Sequence, residues 1–295
     1  MGNYLNPGST MFWGSLRSQI YIDKSGLIRQ MNTLLYTEQR YVCVSRPRRF
    51  GKSMAAYYDK ENDTKELFAG LKISKDTSFD ENINKYDVIK INMQEFLSAT
   101  QSMDDMLKLL QKRILADLRN KYPEFVTEEN LVFVMQDVFA KTNSPFIILI
   151  DEWDCLFREY EQDRDAQKKY LDFLRFWLKD KEYIALAYMT GILPIKKYGS
   201  HSALNMFMEY SMTDPGNLAE FFGFTEEEVR GLCDEYNMSF EEVNAWYDGY
   251  RLVSHSKFGE MVHSIYNPKS VVEAMLRHKF GTYWNQTETY EALKV

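Results

Sequence analysis

The stretch SRPRRFGKSM, residues 45–54, ends in residue types that hold phosphate groups. Gly51-Lys52-Ser53 follows an apolar, strand-like run and opens a stretch with a helical pattern, which is the setting that a phosphate-binding loop requires. In such a loop the lysine contacts the β- and γ-phosphates, the hydroxyl binds Mg²⁺, and backbone N–H groups at the helix start face the phosphates. The sequence therefore predicts phosphate contact for Lys52 and metal contact for Ser53.

The loop departs from the regular pattern at its first position. The glycine that usually opens it is replaced by Arg46, and two more arginines, Arg48 and Arg49, come before Phe50. Three interpretations fit these residues: a nucleotide site that has lost its function, a patch of guanidinium groups for nucleic-acid phosphates, and a variant loop that still holds a triphosphate. Two further strand ends favour the third.

Two acidic residues follow the apolar run FIILI. If this run is a strand parallel to the one before the loop, Asp151 and Glu152 lie at the same edge of the sheet. Asp151 would then bind the magnesium shell, and Glu152 would polarise a water for attack on the γ-phosphate. The alternative is a buried strand that simply ends in solvated acids. Trp153, which comes next, is expected to pack under this edge rather than to stack on a base.

A third strand-like run, YIALAYMTG, ends in Thr190 and Gly191. At the same sheet edge the Thr190 hydroxyl would contact the γ-phosphate or the attacking water. The alternative is a threonine that only ends a strand. Together the three strand ends predict catalytic roles for Lys52, Glu152 and Thr190.

Short apolar runs alternate with helical patterns along the first 212 residues. Continuous Ile, Leu and Val runs are typical of strands buried on both faces. Their alternation with helices predicts a doubly wound α/β fold, with a parallel sheet flanked by helices. The predicted strands are 40–46, 86–93, 145–152 and 183–191, and the predicted helices are 102–122, 127–142 and 165–180.

The pattern changes after about residue 212. Capping boxes open two helical stretches at Thr225 and Ser239, and Gly249 is placed to end the second. Two short strand-like pieces and a helix beginning at Pro268 follow. We expect one α/β domain over residues 1–212 and a small helical or winged-helix domain over residues 213–295.

Composition excludes several classes of protein. Apolar residues make up 45% of the 295 residues and charged residues 27%, which is typical of a globular chain. The formal net charge of −7 argues against a surface that coats nucleic acid as a whole, although a local basic patch stays open. The 3 cysteines and 4 histidines lack the spacing of a disulfide scaffold or a zinc site. Without a leader-like start or a long apolar run, we expect a soluble cytoplasmic protein with no membrane partner.

Six short segments together resemble one family. The segments IYIDKSGLI, VSRPRRFGKSM, ELFAGLKI, IILIDEWD, MTGILPIKK and FGFTEEEV follow one another as in the predicted AAA-ATPase family of bacteria. In that family an Arg-Pro-Arg-Arg-Phe-Gly-Lys-Ser loop is the normal form, so the resemblance explains the arginines. It covers about residues 15–295 and implies an ATPase core, a small helical or winged-helix part and, in many members, a restriction-endonuclease-like nuclease domain.

The resemblance also implies ligands and site residues. ATP and Mg²⁺ are the expected ligands, with Ser53 and Asp151 at the metal and Glu152 as the base. Asp23 would lie near the adenine base or the ribose. The expected nucleotide-binding residues are Asp23, Arg48, Arg49, Phe50, Gly51, Lys52, Ser53 and Met54.

Two departures from the family pattern leave alternatives open. The helix after the loop is expected to be short, because MAAYYDKEND soon becomes polar, and no nuclease pattern follows before the chain ends. The first hypothesis is an ATPase that couples hydrolysis to a movement of its domains or of a partner. The alternatives are a nucleotide-responsive interaction module with little hydrolysis, and a DNA-binding regulator that uses the C-terminal part.

Oligomers and partners are also left open by the sequence. A homo-oligomer, a protein partner, a nuclease domain and nucleic acid are all compatible with these features. If active sites form between subunits, the candidates for an arginine that completes a neighbour's site are Arg158, Arg164 and Arg175.

Overall fold

The computed structural model describes residues 2–45, 52–195, 204–256 and 259–283, and for Lys52 and Ser256 it describes the backbone only. Within these ranges five strands form one parallel sheet. They are β1 (Tyr41–Ser45), β2 (Asp87–Asn92), β3 (Phe146–Asp151), β4 (Ile184–Gly191) and β5 (Met208–Ser211). Their order across the sheet is β2-β3-β4-β1-β5, so β4 lies between β1 and β3.

The four predicted strands are confirmed to within one residue at each end. The fifth strand, β5, was not predicted, because its sequence MEYS is short and partly polar. It pairs with β1, with Val42 opposite Met208. Its place in the sheet therefore depends on pairing with a neighbour more than on its own pattern.

Both faces of the sheet are buried, as the continuous apolar runs predict. Along β3, Phe146, Ile148 and Ile150 belong to one apolar cluster, and Ile147 and Leu149 belong to a second. Because successive side chains of a strand point to opposite faces, the two clusters lie on the two faces of the sheet. The predicted α/β fold with a flanked parallel sheet is confirmed.

Helices α1–α5 place their buried apolar side chains in the cluster of Ile147, and helices α6–α10 place theirs in the cluster of Ile148. These helices are α1 (Thr10–Leu16), α2 (Gly26–Asn32), α3 (Lys52–Tyr58), α4 (Lys65–Phe68), α5 (Phe79–Asn82), α6 (Met93–Ser98), α7 (Met103–Lys121), α8 (Leu131–Thr142), α9 (Cys155–Glu159) and α10 (Arg164–Leu178). Among the described residues, 3-10 helices span Lys72–Lys75 and Gly216–Phe221. In the described part of the chain no helix has both the length and the apolar character needed to cross a membrane.

One predicted helix begins later than expected. The prediction placed its start at Thr127, whereas α8 starts at Leu131. The side chain of Asn130 accepts hydrogen bonds from the backbone N–H groups of Val132 and Phe133. Asn130 is therefore the residue that caps the helix.

The chain after β5 builds a second, antiparallel sheet with its own helices. Its strands, in the order β6-β8-β7, are β6 (Phe224–Thr225), β7 (Tyr250–Ser256) and β8 (Gly259–Tyr266), and its helices are α11 (Glu226–Tyr236), α12 (Phe240–Tyr247) and α13 (Pro268–Arg277). Most of their buried side chains form a third apolar cluster, while Leu252 of β7 and Ile265 of β8 belong to the second. The predicted capping box from Thr225 to Glu228 is confirmed with both of its hydrogen bonds. The winged-helix interpretation and the boundary at residue 212 stay predictions.

Residues 19–24 lie between the second and the third cluster. Ile20 and Ile22 pack against the third cluster, and Tyr21 packs against the second. At the end of this segment, Lys24 Nζ lies 2.6 Å from Glu228 Oε2 and donates a hydrogen bond to the carbonyl of Glu220 at 2.7 Å. The segment thus joins the α/β part to the C-terminal part.

Candidate active site at the sheet edge

The carboxyl ends of three neighbouring strands form the candidate site. Strand β4 pairs with β1 on one side and with β3 on the other, with Ser45 opposite Gly191 and Ile150 opposite Met189. Since parallel strands present their carboxyl ends at one edge, the end of β1, Asp151 and Glu152 at the end of β3, and Thr190 near the end of β4 lie together.

The predicted phosphate loop lies largely outside the described residues. The loop positions Arg48, Arg49, Phe50 and Gly51 are among these undescribed residues. On either side, β1 ends at Ser45 and α3 begins at Lys52, so the flanking strand and helix match the setting that a phosphate loop requires. Ser53 is half-buried in the first turn of α3, and the Met54 side chain is buried in the second cluster.

Asp151 and Thr190 are in direct contact. Thr190 Oγ1 donates a hydrogen bond of 2.5 Å to Asp151 Oδ1, which also accepts one of 3.1 Å from the backbone N–H of Glu152. Asp151 is exposed at the end of its strand. The structure therefore brings together a predicted metal ligand and a predicted catalytic hydroxyl.

The donor set at this edge is compatible with Mg²⁺. Within the described ranges no group of three or more His, Cys, Asp or Glu residues is placed to hold a metal ion. Magnesium is commonly held by one or two carboxylates together with waters and substrate phosphates. One exposed carboxylate, Asp151, meets that requirement.

Glu152 has an unusual backbone and a buried carboxylate. Its φ angle is 54°, in the left-handed region that non-glycine residues seldom occupy and that is often found at functional sites. The residue is only 5% exposed. Its Oε2 atom accepts a hydrogen bond of 2.5 Å from Arg158 Nη2.

Asp154 ties the chain after β3 to the chain after β4. It is fully buried, and its Oδ2 atom accepts hydrogen bonds from the backbone N–H groups of Ile192 and Leu193, at 2.9 and 2.7 Å. Arg158 Nε lies 3.6 Å from the same oxygen. Burial raises the pKa of the Asp154 carboxyl above its ordinary value, and Arg158 and the backbone donors oppose that shift.

Trp153 packs beneath the edge, as expected. It is fully buried, and its backbone carbonyl accepts a hydrogen bond of 2.8 Å from the Tyr170 hydroxyl. Its indole lies against Gly191, where an added Cβ would be 2.7 Å from Trp153 Nε1 and 2.6 Å from Asp154 Oδ1. Trp153 is therefore a packing residue of the site.

Asp23 lies in a different part of the molecule's surface. Its carboxylate accepts hydrogen bonds from the backbone N–H groups of Ser25 and Lys72, at 2.8 and 2.6 Å. It lines a cavity of about 290 Å³ whose described lining also includes Lys24 and Phe221 but none of Ser53, Asp151, Glu152 and Thr190. The structure thus shows Asp23 bracing the chain before α2, and its nucleotide role stays a prediction.

Sequence reasoning did not assign two residues to this site. Asp154 received no role, and Arg158 was considered only for the site of a neighbouring subunit. In the structure Arg158 pairs with Glu152 and with Asp154 of its own chain. The spacing of four residues between an acid and an arginine was the available signal, because residues four apart meet on one face of a helix.

The sequence model of one protein family matches this chain. The family is described as Predicted AAA-ATPase, and the match covers residues 15–200 of the 295. It includes β1–β4 and the residues assembled at their carboxyl ends. A search of curated proteins finds no match. On the strength of a match over more than half of its length, the chain belongs to the Predicted AAA-ATPase family.

Proposed function

We propose that this protein binds ATP with Mg²⁺ at the carboxyl edge of its parallel sheet and hydrolyses it. The observation that carries the proposal is the contact between Asp151 at the end of β3 and Thr190 near the end of β4, beside Glu152; β4 is the neighbour of β1 in the sheet. Membership of a family described as Predicted AAA-ATPase supports the same chemistry.

In this proposal Lys52 and Ser53 contact the phosphates, and Ser53 and Asp151 hold the metal. Bound Mg²⁺ would offset the negative charge of the phosphates. The loop residues Arg48, Arg49, Phe50 and Gly51 complete the phosphate site, and Met54 contributes its backbone, since its side chain belongs to the core. Asp23 would border the base or ribose through the segment that its carboxylate braces.

The hydrolytic step is assigned to Glu152, which would orient the attacking water. Lys52 would stabilise charge on the transferred phosphoryl group. Thr190 would keep Asp151 in place through its hydrogen bond and reach the γ-phosphate or the water. Each residue thus acts mainly by position and charge, which is how proteins catalyse phosphoryl transfer.

Hydrolysis would drive a movement between the α/β part and the C-terminal part, or of a partner. Residues 19–24 support this coupling, because they pack against both parts and end in the ion pair between Lys24 and Glu228.

A second candidate function is a nucleotide-responsive switch with little hydrolysis. The short α3 of 7 residues favours it, since a short helix gives the loop less support. The rate at which the protein releases phosphate from ATP decides between the two functions.

The direct test is phosphate release by the wild type and by Glu152→Gln at saturating MgATP. We expect Glu152→Gln to bind ATP as tightly as the wild type and to release phosphate at least about a hundredfold more slowly, because general-base catalysis contributes roughly 10²–10⁴ in rate. The exposed Glu124 supplies the control Glu124→Gln, which should turn over normally. Normal turnover by Glu152→Gln would show that the base is wrongly assigned, and binding without turnover by the wild type would favour the switch.

A further inference from the structure

We propose that Arg158 is a positioning residue for Glu152: it holds the Glu152 carboxylate where that group orients the attacking water, and it links this position to the chain after β4 through Asp154. The inference rests on the proposed hydrolysis of ATP. It adds a role for Arg158 and a connection from Glu152 to the chain after β4, neither of which the proposed hydrolysis by itself requires.

The first reason is that the carboxylate of Glu152 needs a buried partner. The residue follows the last position of β3 in a left-handed conformation, and its side chain is 7% exposed. A carboxylate removed from water in this way is stable only with a partner of opposite charge or with strong hydrogen bonds. Arg158 Nη2, at 2.5 Å, provides both.

The second reason is that Arg158 is itself fixed. Its guanidinium lies between two carboxylates, with Nη2 on Glu152 and Nε 3.6 Å from Asp154 Oδ2. The first contact is a charge-assisted hydrogen bond and the second is an ion pair too long for a hydrogen bond, so Glu152 and Asp154 attract the guanidinium from two sides. A lysine could replace the charge, but its single ammonium group could not present one nitrogen to each carboxylate.

The third reason is that Asp154 is anchored on its far side. The backbone N–H groups of Ile192 and Leu193 both donate to its Oδ2 atom, and beside its other oxygen there is no room for a Cβ at Gly191. A continuous set of contacts therefore runs from the chain after β4, through Asp154 and Arg158, to Glu152. A shift of residues 192–193 would move the carboxylate that orients the water.

These contacts also argue against the role considered for Arg158 in a neighbouring subunit. A guanidinium held between two acids of its own chain would have to leave both to reach a phosphate elsewhere. The geometry assigns Arg158 to the site of its own chain.

The test measures kcat, KM and the Kd for MgATP in the wild type, Arg158→Ala and Arg158→Lys. We expect Arg158→Ala to lower kcat by about 10- to 100-fold, since displacing a catalytic group by about 1 Å can cost about 10² in rate. ATP affinity should stay within about twofold, and Arg158→Lys should recover part of kcat. The control is Arg119→Ala, an exposed arginine of α7, which should match the wild type.

A double variant separates positioning from a general structural role. If Arg158 acts only through Glu152, adding Arg158→Ala to Glu152→Gln should cause no further loss of rate, because residues that act as a unit are not additive. A further loss, or a loss of ATP affinity that matches the loss of rate, would overturn the inference. If Arg158→Ala does not fold, Arg158→Lys decides by the same comparison of kcat with Kd.

The other possible results distinguish a failure of this inference from a failure of the proposed hydrolysis. Unchanged kcat in Arg158→Ala overturns the inference, and so does a raised kcat, which would mean that Arg158 restrains Glu152 from acting. Wild-type turnover that is lost in Glu152→Gln but kept in Arg158→Ala contradicts this inference alone. A wild type that binds MgATP without turnover contradicts the proposed hydrolysis and this inference with it.

Discussion

At the scale of residues, three acids within four positions have three different surroundings. Asp151 is exposed and hydrogen-bonded to Thr190, Glu152 is buried against Arg158, and Asp154 is fully buried and holds two backbone N–H groups. Environment decides what a carboxylate can do, since burial and charged neighbours change its affinity for protons and metals. The sequence Asp-Glu-Trp-Asp thus places a candidate metal ligand, a candidate base and a structural acid side by side.

Trp153 and Asp154 leave no room for a side chain at Gly191. A methyl group there would meet Trp153 and Asp154 at 2.6–2.7 Å, so we expect Gly191→Ala to lower the free energy of unfolding by about 1–3 kcal/mol, as overpacking of a core does. The control is Gly231→Ala in α11, where nothing lies within 4 Å of the added carbon and alanine favours the helix. Urea denaturation measures both. A neutral effect of Gly191→Ala would contradict the tight contact.

At the scale of elements, the strands could be predicted from the sequence and their partners only in part. Continuous apolar runs identify β1–β4, because only burial on both faces tolerates such runs. Strand β5 could not be predicted, since its four residues gain their place by pairing with β1. The start of α8 was wrong because Asn130, rather than Thr127, caps the helix.

The contacts of the candidate site could likewise be predicted from the sequence only in part. That Asp151 and Thr190 share an edge follows from strand topology, and the hydrogen bond between them is consistent with that prediction. The ion pair of Glu152 with Arg158 depends on a left-handed backbone at one residue and on the direction of one helix, which no local pattern specifies. The bond from the Lys72 backbone to Asp23 joins residues far apart in the chain, so it too needed the structure.

A buried charge cluster lies at the start of β2, at the amino ends of the strands and therefore opposite the candidate site. Asp87 is fully buried and accepts hydrogen bonds from Asn6, Lys121, Tyr122 and Ser144, and Lys60 Nζ lies 2.6 Å from it. Lys121 also pairs with Glu61. The cluster joins the N-terminal segment, α7 and the chains that precede β2 and β3, and it should matter for stability rather than for turnover.

Removing the Asp87 carboxylate should therefore destabilise the folded protein. Asp87→Ala leaves Lys60 and Lys121 without their shared partner, and we expect the free energy of unfolding to fall by about 3 kcal/mol, as when one member of a buried ion pair is deleted. The matched control, Asp80→Ala, removes the partner of Lys65 from an exposed pair and should have a much smaller effect. Equal effects of the two substitutions in urea denaturation would contradict the account.

Because of the same cluster, the free energy of unfolding should depend on pH in the acid range. Burial by itself raises the pKa of Asp87, but hydrogen bonds from Lys121, Lys60 and Tyr122 outweigh it and hold the pKa below its ordinary value. Burial also opposes ionisation of Glu61, yet hydrogen bonding to Lys121 and other donors lowers its pKa to about 2. Because the folded state binds fewer protons than the unfolded one, this stability is present above about pH 4 and is lost as pH falls toward 2. In Asp87→Ala the loss over that range should be shallower.

At the scale of the whole molecule, the proposed site belongs to the α/β part, and the proposed coupling depends on the contact between the two parts. Residues 19–24 touch the apolar clusters of both, and Lys24 bonds to Glu220 and Glu228. The family match ends at residue 200, and the third cluster lies beyond it.

The central claim is that Lys52 belongs to a working phosphate loop, and one measurement tests it most directly. MgATP is titrated by calorimetry into the wild type, Lys52→Ala and the exposed control Lys112→Ala, and phosphate release is followed on the same samples. We expect the wild type and Lys112→Ala to bind ATP and release phosphate, and Lys52→Ala to lose both, because the lysine contacts the β- and γ-phosphates in such loops. Unchanged binding and turnover in Lys52→Ala would contradict the account.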